Sequence, residues 1–343
     1  MAFDPVGILV LALLLQPAPP IAAEARGLLS APVINGKAVE VSIGFYAYDF
    51  ARVTSRDESF DLTGYLELSW RDPRLELPAD ARDATKEWRR MDAARVWTPK
   101  VYFENALEQP RLHADPVIEV DPEGTVTSWS IVSGKVSSPL YLERFPFDRQ
   151  RLAVRIGAFE DESVMKFRVK NELVLLGEDA FLTDWTIGNP TARIDSHRFV
   201  PGQEVYPRFT YQVEINRRYT FYIWRVMLPL FFLALVPWAA FWFEPAGLQP
   251  QISTCLASLI ALVTFNFAID FSLPKVVYLT LIDKHALICF AFVVLSVAAV
   301  TIIHLSITHN RLQQAQAIQR VVRWIYLPAY LLAVILNLGV LIG

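Results

Sequence analysis

The sequence has little cysteine and little histidine, and both shortages narrow its possible functions. Cys255 and Cys289 are the only cysteines in 343 residues. Both fall in long apolar stretches, so no disulfide is available to the polar first part of the chain. The five histidines are scattered, and no HExxH, Walker, GxGxxG or GxSxG pattern occurs. We therefore expect no enzyme of those classes, no metal and no other cofactor.

A strong net charge is also lacking. The chain has 32 basic and 35 acidic residues and a formal net charge of −3, so no nucleic-acid partner is expected. No internal repeat or low-complexity linker is visible. The charged residues are concentrated before Tyr219, and the sequence after it is strongly apolar. This change predicts a water-exposed domain followed directly by a membrane domain.

Four apolar segments follow Tyr219, namely Phe221–Phe243, Ile252–Ile269, Ala286–Thr308 and Trp324–Ile342. Each is close to the ~20 residues that cross a ~30 Å hydrocarbon layer as a helix. One such segment is compatible with a buried helix of a soluble protein, but four in succession are not. We expect transmembrane helices at about 221–243, 250–272, 284–308 and 321–342, in a membrane domain of residues 219–343.

The N-terminus resembles an export signal. Ile8–Leu15 is a short apolar core, and small residues around Ala22-Ala23-Glu24-Ala25 suit cleavage, which predicts a signal peptide over residues 1–23. Asp4 and the absence of Lys or Arg before the core depart from that pattern, so a disordered or membrane-lying leader is the alternative. Export would place residues 24–218 outside the inner (plasma) membrane, or in the periplasm.

An even number of spans would return the C-terminus to the outer side. The connection between the third and fourth spans would then lie inside. This connection is expected to carry Arg311, Arg320 and Arg323, in agreement with the excess of basic residues in cytoplasmic loops.

The outer part has the pattern of a β protein. Alternating or clustered β-branched and aromatic residues, separated by turns such as Asp72-Pro73 and Pro201-Gly202, predict strands, whereas Ala79–Arg90 looks helical. The strands are expected at Val39–Val53, Asp61–Trp70, Thr125–Val132, Arg151–Phe159, Met165–Val169 and Phe209–Ile215. The predicted fold is an all-β extracellular immunoglobulin-like sandwich followed by an all-α four-helix transmembrane bundle.

Several motifs in the correct order resemble the pentameric ligand-gated ion channels. Trp70-Arg71-Asp72-Pro73-Arg74-Leu75 is similar to their WxDxRL motif, and Phe145-Pro146-Phe147-Asp148-Arg149-Gln150 to their FPFDxQ loop. Trp97-Thr98-Pro99-Lys100, with Asn105, resembles their WxPD…N segment with Lys in place of Asp. Further matches are Arg218 before the first span, Pro229 within it, and Leu273-Pro274-Lys275 after the second. The family's paired cysteines would fall at Ser138 and Leu152, as in its disulfide-free prokaryotic members.

The resemblance implies a homopentamer whose second spans line a central pore. Steps of three and four residues back from Pro274 mark one helical face, formed by Phe271, Phe267, Thr264, Ile260, Ala257 and Ser253. Small and polar residues lie at its inner end and bulky apolar ones at its outer end. Five copies would form a hydrophobic constriction at Ile260 and Phe267 that blocks ions by dewetting. Packing of this stripe against other helices or lipid is the alternative.

Charge selectivity depends on residues near the ends of the second span. Asp270 would form an acidic ring at the outer end and Glu244 a second ring near the inner mouth, which favours monovalent cations. Pro245-Ala246 approaches the pattern of anion-selective relatives but lacks their basic residue. A cation channel is therefore expected, with an anion channel as the alternative.

The resemblance also locates a site for a small extracellular ligand. Its residues are Phe159 and the adjacent Glu160, Tyr65 on the neighbouring subunit's face, Glu104, and Phe199 and Tyr206 around the capping turn. Aromatic faces and a carboxylate suit an amine-like ligand through cation–π contacts. Glu104 and Glu160 are alternatively titrating groups of a pH-gated channel, and the aromatic residues alternatively only pack the sandwich and the subunit interface.

Coupling between the two domains is expected where loops of the outer domain meet the membrane domain. The residues concerned are Asp57, Glu58, Phe147, Asp148, Arg218, Pro274 and Lys275. We expect Asp148 to pair with Arg218 and Pro274 to stiffen the turn after the pore helix. A purely structural role for these charges is the alternative.

Two other membrane proteins fit the sequence less well. A non-conducting sensor needs one span as an anchor, and a secondary transporter normally has more spans with helices broken at the midplane. The expected partners are therefore further copies of the chain, a small extracellular ligand or protons, monovalent cations and membrane lipids.

Overall fold

The computed structural model describes residues 28–34, 36–55, 57–78, 88–198, 203–243, 248–270 and 276–339. The expected signal peptide lies outside these residues, as do Phe199, Glu244, Phe271, Pro274 and Lys275. Most of the expected helix Ala79–Arg90 also lies outside them. Its last two residues belong to a strand, so the helical prediction is wrong at that end.

The described residues of the outer domain form eleven strands. They are β1 (Val39–Thr54), β2 (Ser59–Arg71), β3 (Arg89–Met91), β4 (Val101–Phe103), β5 (Arg111–Leu112), β6 (Val117–Val120), β7 (Thr125–Ser137), β8 (Arg149–Ala158), β9 (Met165–Leu176), β10 (Trp185–His197) and β11 (Tyr206–Arg217). All six expected strands are present. The sequence did not predict β10 or the short strands β3 to β6.

The strands form two sheets. The larger has the order β3-β6-β7-β2-β1-β9, with β5 also paired to β7, and the smaller has the order β10-β11-β8-β4. Most neighbours are antiparallel, but β1 and β9 run parallel. This confirms the predicted sandwich.

Aromatic residues join the two sheets in the core. Phe45 on β1 and Tyr211 on β11 are fully buried and meet edge to face with ring centroids 5.2 Å apart. Trp70 contacts Trp97 in the same geometry at 5.7 Å. Edge-to-face pairs contribute about 0.5–1.5 kcal/mol beyond the burial of their area, so the Phe45–Tyr211 contact stabilises the packing of the two sheets and the Trp70–Trp97 contact fixes the segment before β4 to β2.

The motif residues at the end of β2 and after β4 have structural roles. Asp72 is fully buried and accepts hydrogen bonds from Arg74 Nε at 2.8 Å and Nη2 at 2.7 Å. The Asn105 amide donates to the carbonyls of Ser137 and Ala153 at 2.7 and 2.8 Å. Both residues thus satisfy polar groups that turns would otherwise leave buried and unpaired.

The two positions where the family has paired cysteines are held by other contacts. The Ser138 hydroxyl donates to the carbonyl of Arg151 at 3.0 Å. Leu152 is 1% exposed in the core. A hydrogen bond and apolar burial therefore close this loop where a covalent bond would close it in disulfide-containing members.

Four helices follow the sandwich, and all are long and apolar enough to cross a membrane. They are α1 (Thr220–Ala240), α2 (Leu248–Asp270), α3 (Leu281–Thr308) and α4 (Leu312–Gly339). Ile223–Met227 within α1 is a π-helical turn. Pro229 follows this turn and lacks the N–H that a regular α-helical bond to Arg225 would need.

The fourth helix begins earlier than the apolar pattern predicts, at Leu312 rather than near residue 321. The reason is that residues 312–320 are good helix formers but polar, so an apolar window does not detect them. Arg320 and Arg323 consequently lie within α4 and not in the connection before it, so their predicted position in that connection is wrong.

Candidate functional site

A row of side chains crosses the outer face of the smaller sheet. Tyr102 on β4 is paired with Gly157 on β8, Gly157 with Arg208 on β11, and Arg208 with Asp195 on β10. Directly opposed residues of an antiparallel sheet point to the same face. Four strands thus bring an aromatic ring, a gap without a side chain and two opposite charges together.

Gly157 provides the space in this row. A Cβ atom at that position would lie 2.8 Å from Cζ and Oη of Tyr102 and 2.9 Å from Oε1 of Glu104. Contacts under 3.0 Å require a shift of the neighbour. The Tyr102 ring and the Glu104 carboxylate therefore rest over the backbone of β8.

Three aromatic residues border an open cleft beside this row. The rings of Tyr102 and Phe159 are 4.8 Å apart, and Phe159 is 63% exposed. Together with Ala158 and Tyr206 they enclose about 360 Å³. The Tyr206 hydroxyl donates to Glu204 at 3.1 Å. Of the expected ligand residues, Phe159 and Tyr206 are thus brought together.

The carboxylate of Glu104 is already paired. Arg208 donates through Nη1 to Oε2 of Glu104 at 3.3 Å and through Nε to Oδ1 of Asp195 at 2.6 Å. These two acids, above all Asp195, raise the pKa of Arg208 further. An amine entering the cleft would compete with a fixed guanidinium for Glu104.

Glu160 follows Phe159 and has a different environment. Its Oε2 atom is buried and has no hydrogen-bond partner among the described residues. Burial raises the pKa of this carboxyl, against the opposing effect of hydrogen bonds from its own backbone N–H and that of Lys100. The group therefore takes up a proton at a higher pH than a solvated glutamate does.

Tyr65 lies on β2 of the larger sheet, not in the cleft of its own chain. Its hydroxyl donates to Glu67 at 2.7 Å, and Lys170 pairs with the same carboxylate at 2.6 Å. Burial and the Glu67 carboxylate raise the pKa of Tyr65. Its expected place across a subunit interface stays a prediction.

The junction between the domains contains a buried ion pair. Arg217 donates through Nε to Oδ1 of Asp148 at 2.7 Å and through Nη2 to Oδ2 at 3.1 Å. Their side chains are 5% and 1% exposed. The guanidinium also lies 4.0 Å from the ring centroid of Trp185 and 4.7 Å from that of Phe145. The last residue of β11 is thus fixed to the loop before β8.

The expected pairing of Asp148 with Arg218 is therefore wrong. Arg218 points elsewhere, donating to the Thr183 carbonyl at 3.4 Å with its guanidinium 5.2 Å from the Phe181 ring. Strand alternation explains the difference, because β11 buries Val213, Ile215 and Arg217 on one face. The same alternation, read from the sequence, would have identified Arg217.

The loop before β8 also contacts the membrane domain in two places, before α1 and around the start of α3. Phe147 packs on Tyr219 at 5.0 Å between centroids. The backbone N–H of Leu142 donates to the Tyr278 hydroxyl at 2.9 Å, and that of Leu281 donates to the Glu143 carbonyl at 3.1 Å. One loop thus connects β11, the start of α1 and the start of α3.

The turn between β1 and β2 joins the same region. The Glu58 carbonyl accepts from the backbone N–H of Ser138 at 2.7 Å, and Asp57 pairs with Lys135 at 3.5 Å. Arg217 reaches Ser55 at 3.5 Å. Of the expected junction residues, Asp57 and Glu58 thus contact β7 and the residue after it, and Ser55 connects their turn to the Asp148–Arg217 pair.

The predicted pore stripe lies on the uncovered face of α2. The opposite face is buried against the other helices, at Gln251, Cys255, Ser258 and Leu262. The Ser258 hydroxyl donates a hydrogen bond to the Leu233 carbonyl of α1. This contact explains why a polar residue lies on the packed face of α2, outside the predicted pore stripe. Ser253, Ala257, Ile260, Thr264 and Phe267 are all exposed, Ile260 to 66% and Phe267 to 72%.

Sequence comparisons agree with this architecture. Residues 28–219 match the model of the neurotransmitter-gated ion-channel ligand binding domain. The chain is 30% identical over 305 residues to a proton-gated ion channel of Gloeobacter violaceus, covering 88% of this chain and 83% of that one. It is 24% identical to the gamma-aminobutyric acid receptor subunit beta-4 of Gallus gallus, covering 77% of this chain and 55% of the subunit.

A third relative is the gamma-aminobutyric acid receptor subunit rho-2 of Rattus norvegicus, with 22% identity over 82% of this chain and 62% of the subunit. This chain thus spans less than two thirds of either receptor subunit but most of the bacterial channel. The family consists of ion channels and not of enzymes. The chain belongs to the pentameric ligand-gated ion channels of the Cys-loop receptor superfamily, as a disulfide-free member of prokaryotic type with an extracellular ligand-binding domain and four membrane-spanning helices.

Proposed function

We propose that five copies of the chain form a cation channel whose pore is lined by α2 and opened by a stimulus at the outer domain. The observation that carries this proposal is the division of α2 into two faces. One face packs on its own bundle, and the other leaves apolar residues such as Ile260 and Phe267 uncovered in the single chain. Closed rotational symmetry would bring five such faces around one axis.

The residue order along the uncovered face supports a gate. Ser253 and Ala257 give a mouth that water can wet, whereas Ile260 and Phe267 give apolar rings nearer the outer end. A hydrophobic constriction stops ions by losing its water. Cation selectivity rests on Asp270 and Glu244, since rings of acidic residues concentrate cations.

Protons are the stimulus that the outer domain supports best. Glu104 is engaged by Arg208, so the carboxylate expected to attract an amine is already neutralised. Glu160 has a raised pKa and a buried oxygen without a hydrogen-bond partner among the described residues, and it directly follows Phe159, which lines the cleft. The 30% identical relative is named a proton-gated ion channel. Acidification would protonate Glu160 and remove a buried charge.

An amine-like ligand is the second candidate. Tyr102, Phe159 and Tyr206 border a cleft whose aromatic faces suit an organic cation. Such a ligand would contact the rings directly and leave the Glu104–Arg208 pair in place. The two candidates differ in whether acid alone opens the channel.

The proposed route to the pore passes through the domain junction. Movement of β8 and β11 beside the cleft would be transmitted by the Asp148–Arg217 pair to the start of α1. The contacts of Leu142 with Tyr278 and of Glu143 with Leu281 would transmit it to the segment between α2 and α3.

Two-electrode recording from cells that express the full chain tests the proposal. External pH is lowered in steps, a panel of small amines is then applied at neutral pH, and ions are substituted to locate the reversal potential. Acid-evoked current that follows the cation gradient is expected. E160Q, which carries no titratable proton there, should lose most of the acid response while keeping normal surface expression.

Current evoked only by an amine would select the second candidate. Pentamers at the cell surface that conduct under neither stimulus would overturn the proposed gating, and current following the chloride gradient would overturn the selectivity.

A further inference from the structure

A proline inside α1 leaves one backbone carbonyl of that helix without its regular donor. Pro237 is buried within α1. Because proline has no N–H, the carbonyl four residues earlier, that of Leu233, does not receive the usual helix bond, and the proline ring opens the helix at this point. Water cannot replace the missing donor inside a bilayer, so a side chain has to supply it.

Ser258 of α2 supplies that donor. Its hydroxyl donates to the Leu233 carbonyl at 2.5 Å, and the residue is 2% exposed. Serine and threonine side chains of neighbouring helices are among the groups that satisfy backbone atoms freed by proline in membrane proteins. The bond therefore joins the pore-facing helix to the one point of α1 where Pro237 removes the regular bond.

Other hydroxyls of the membrane helices bond within their own helix. Thr254 donates to the Pro250 carbonyl at 2.7 Å, and Ser296 donates to the Phe292 carbonyl at 2.8 Å, each four residues earlier. This is the ordinary contact of a hydroxyl in a helix interior. By that pattern Ser258 would donate to the carbonyl of Thr254, but it donates to α1 instead.

The bond lies behind the proposed constriction of the pore. Ser258 comes two residues before Ile260, which places the two on opposite faces of α2 with a difference in height of about 3 Å. Ile260 is 66% exposed on the uncovered face. A further polar contact of α2 with the end of α1, from Nε2 of Gln251 to the Phe243 carbonyl, is longer at 3.4 Å and lies at the inner end. The Ser258 bond thus fixes α2 at the level where the channel is proposed to close.

The segment of α1 that accepts this bond is held on its other side by α4. The Tyr326 hydroxyl donates to the Ala234 carbonyl at 2.5 Å, and the Tyr330 hydroxyl donates to the Phe231 carbonyl at 3.3 Å. These carbonyls flank that of Leu233 in the sequence. The acceptor of the Ser258 bond therefore moves together with this part of α1.

We propose that Ser258 is a positioning residue of gating, through which a movement of α1 reaches the pore helix directly. α1 begins shortly after Arg217, which is bonded to Asp148 at the domain junction. A shift of α1 would move the Leu233 carbonyl and, through the Ser258 bond, the part of α2 that bears Ile260. This route is additional to the one through the segment between α2 and α3. The inference rests on the proposed function, because it needs a stimulus that acts from the outer domain.

A double-mutant cycle of S258A and P237A tests this inference by two-electrode recording of the full chain during steps of external pH. S258A removes the donor, whereas P237A returns to α1 the N–H that bonds the Leu233 carbonyl within the helix. Each single variant should need about ten times more protons for half-maximal current, a shift of one pH unit. The double variant should need no more than either single one, because both changes remove the same bond.

P237A also keeps the test independent of folding, because it leaves no carbonyl unpaired and frees Ser258 to bond within α2. S296A is the matched control, since Ser296 is 1% exposed and its hydroxyl donates within α3. It should keep the wild-type half-maximal pH. Surface expression is measured for every variant.

Three results would overturn the inference while the wild type conducts. They are an unshifted half-maximal pH in P237A or in S258A, additive shifts in the double variant, and an equal shift in S296A. A wild-type chain that gives no current with acid or with amines would instead overturn the proposed function, and this inference with it.

Discussion

Arg217 is the residue whose loss should most disturb the domain junction. R217Q leaves Asp148 buried without its cation, and breaking one partner of a buried pair typically costs about 3–5 kcal/mol. R218Q removes an exposed arginine with one long hydrogen bond and should change stability by no more than about 0.5 kcal/mol. Thermal unfolding of the two purified variants, followed by size-exclusion chromatography, measures the difference. Similar losses in both would contradict the assigned pairing.

A single methyl group at Gly157 should disturb the aromatic cleft without unfolding the sheet. In G157A the new Cβ would displace the Tyr102 ring and the Glu104 carboxylate, both within 2.9 Å. The stimulus concentration for half-maximal current should rise about tenfold, or one unit of pH for protons. G134A is the control, because it adds the same methyl group to a strand of the other sheet, where the Cβ would also be crowded but less so, at 3.2 Å from Pro110. An unchanged response in G157A would remove the cleft from the gating scheme.

For single residues, the sequence predicted where a side chain lies in the fold better than it predicted which side chain it pairs with. Phe159 and Tyr206 line one cleft and Asp148 lies at the domain junction, while their roles in ligand binding and coupling stay predictions. Glu104 was expected to face a ligand, but Arg208 comes from a strand about a hundred positions later, and only the register of β8 with β11 brings the two together. Tyr102 was missed although Phe103 is buried and strand alternation turns Tyr102 outward with Glu104.

Among the elements, α2 allows the sharpest test of which face is uncovered. Cysteines introduced on its two faces can be compared by thiol modification, because the chain's own two cysteines are buried. Cys255 and Cys289 are fully buried and should resist a water-soluble thiol reagent. I260C on the uncovered face should react at least about tenfold faster than L262C on the packed face, since a buried thiol is poorly accessible. Current block during modification is the measurement. Fast reaction of L262C with none of I260C would contradict the assigned face.

The same element-scale view explains which secondary structure could be predicted. Long strands such as β1 and β2 were predicted because β-branched and aromatic residues alternate or cluster along them, and the four spans because each is continuously apolar over about 20 residues. β10 was missed because it is an edge strand that is exposed or half-buried along most of its length. The polar start of α4 was missed because its helical character comes from propensity and not from apolarity.

At the scale of the whole molecule, the candidate ligand site is divided between surfaces that a single chain does not bring together. Phe159 lies after β8 in the smaller sheet and Tyr65 on β2 in the larger one. The predicted homopentamer would place one against the other across each interface. No sequence pattern in one chain specifies that pairing, because it depends on how two folded copies meet, whereas the pattern of a single sandwich is local.

Fivefold assembly would also multiply the effect of the Asp270 charge on the electrostatic potential at the outer mouth of the pore. Asp270 ends α2, so in a pentamer five carboxylates would surround the outer mouth of the pore. D270N removes all five and should lower both the single-channel cation current and the ratio of cation to chloride permeability, because the local cation concentration depends on the summed potential. The reversal potential in a tenfold salt gradient measures the ratio. D283N is the matched control, since Asp283 is engaged at the start of α3, where it accepts from the N–H and hydroxyl of Thr280. If D270N keeps the wild-type reversal potential, selectivity is set elsewhere along the pore, and the inner ring of Glu244 becomes the site to replace next.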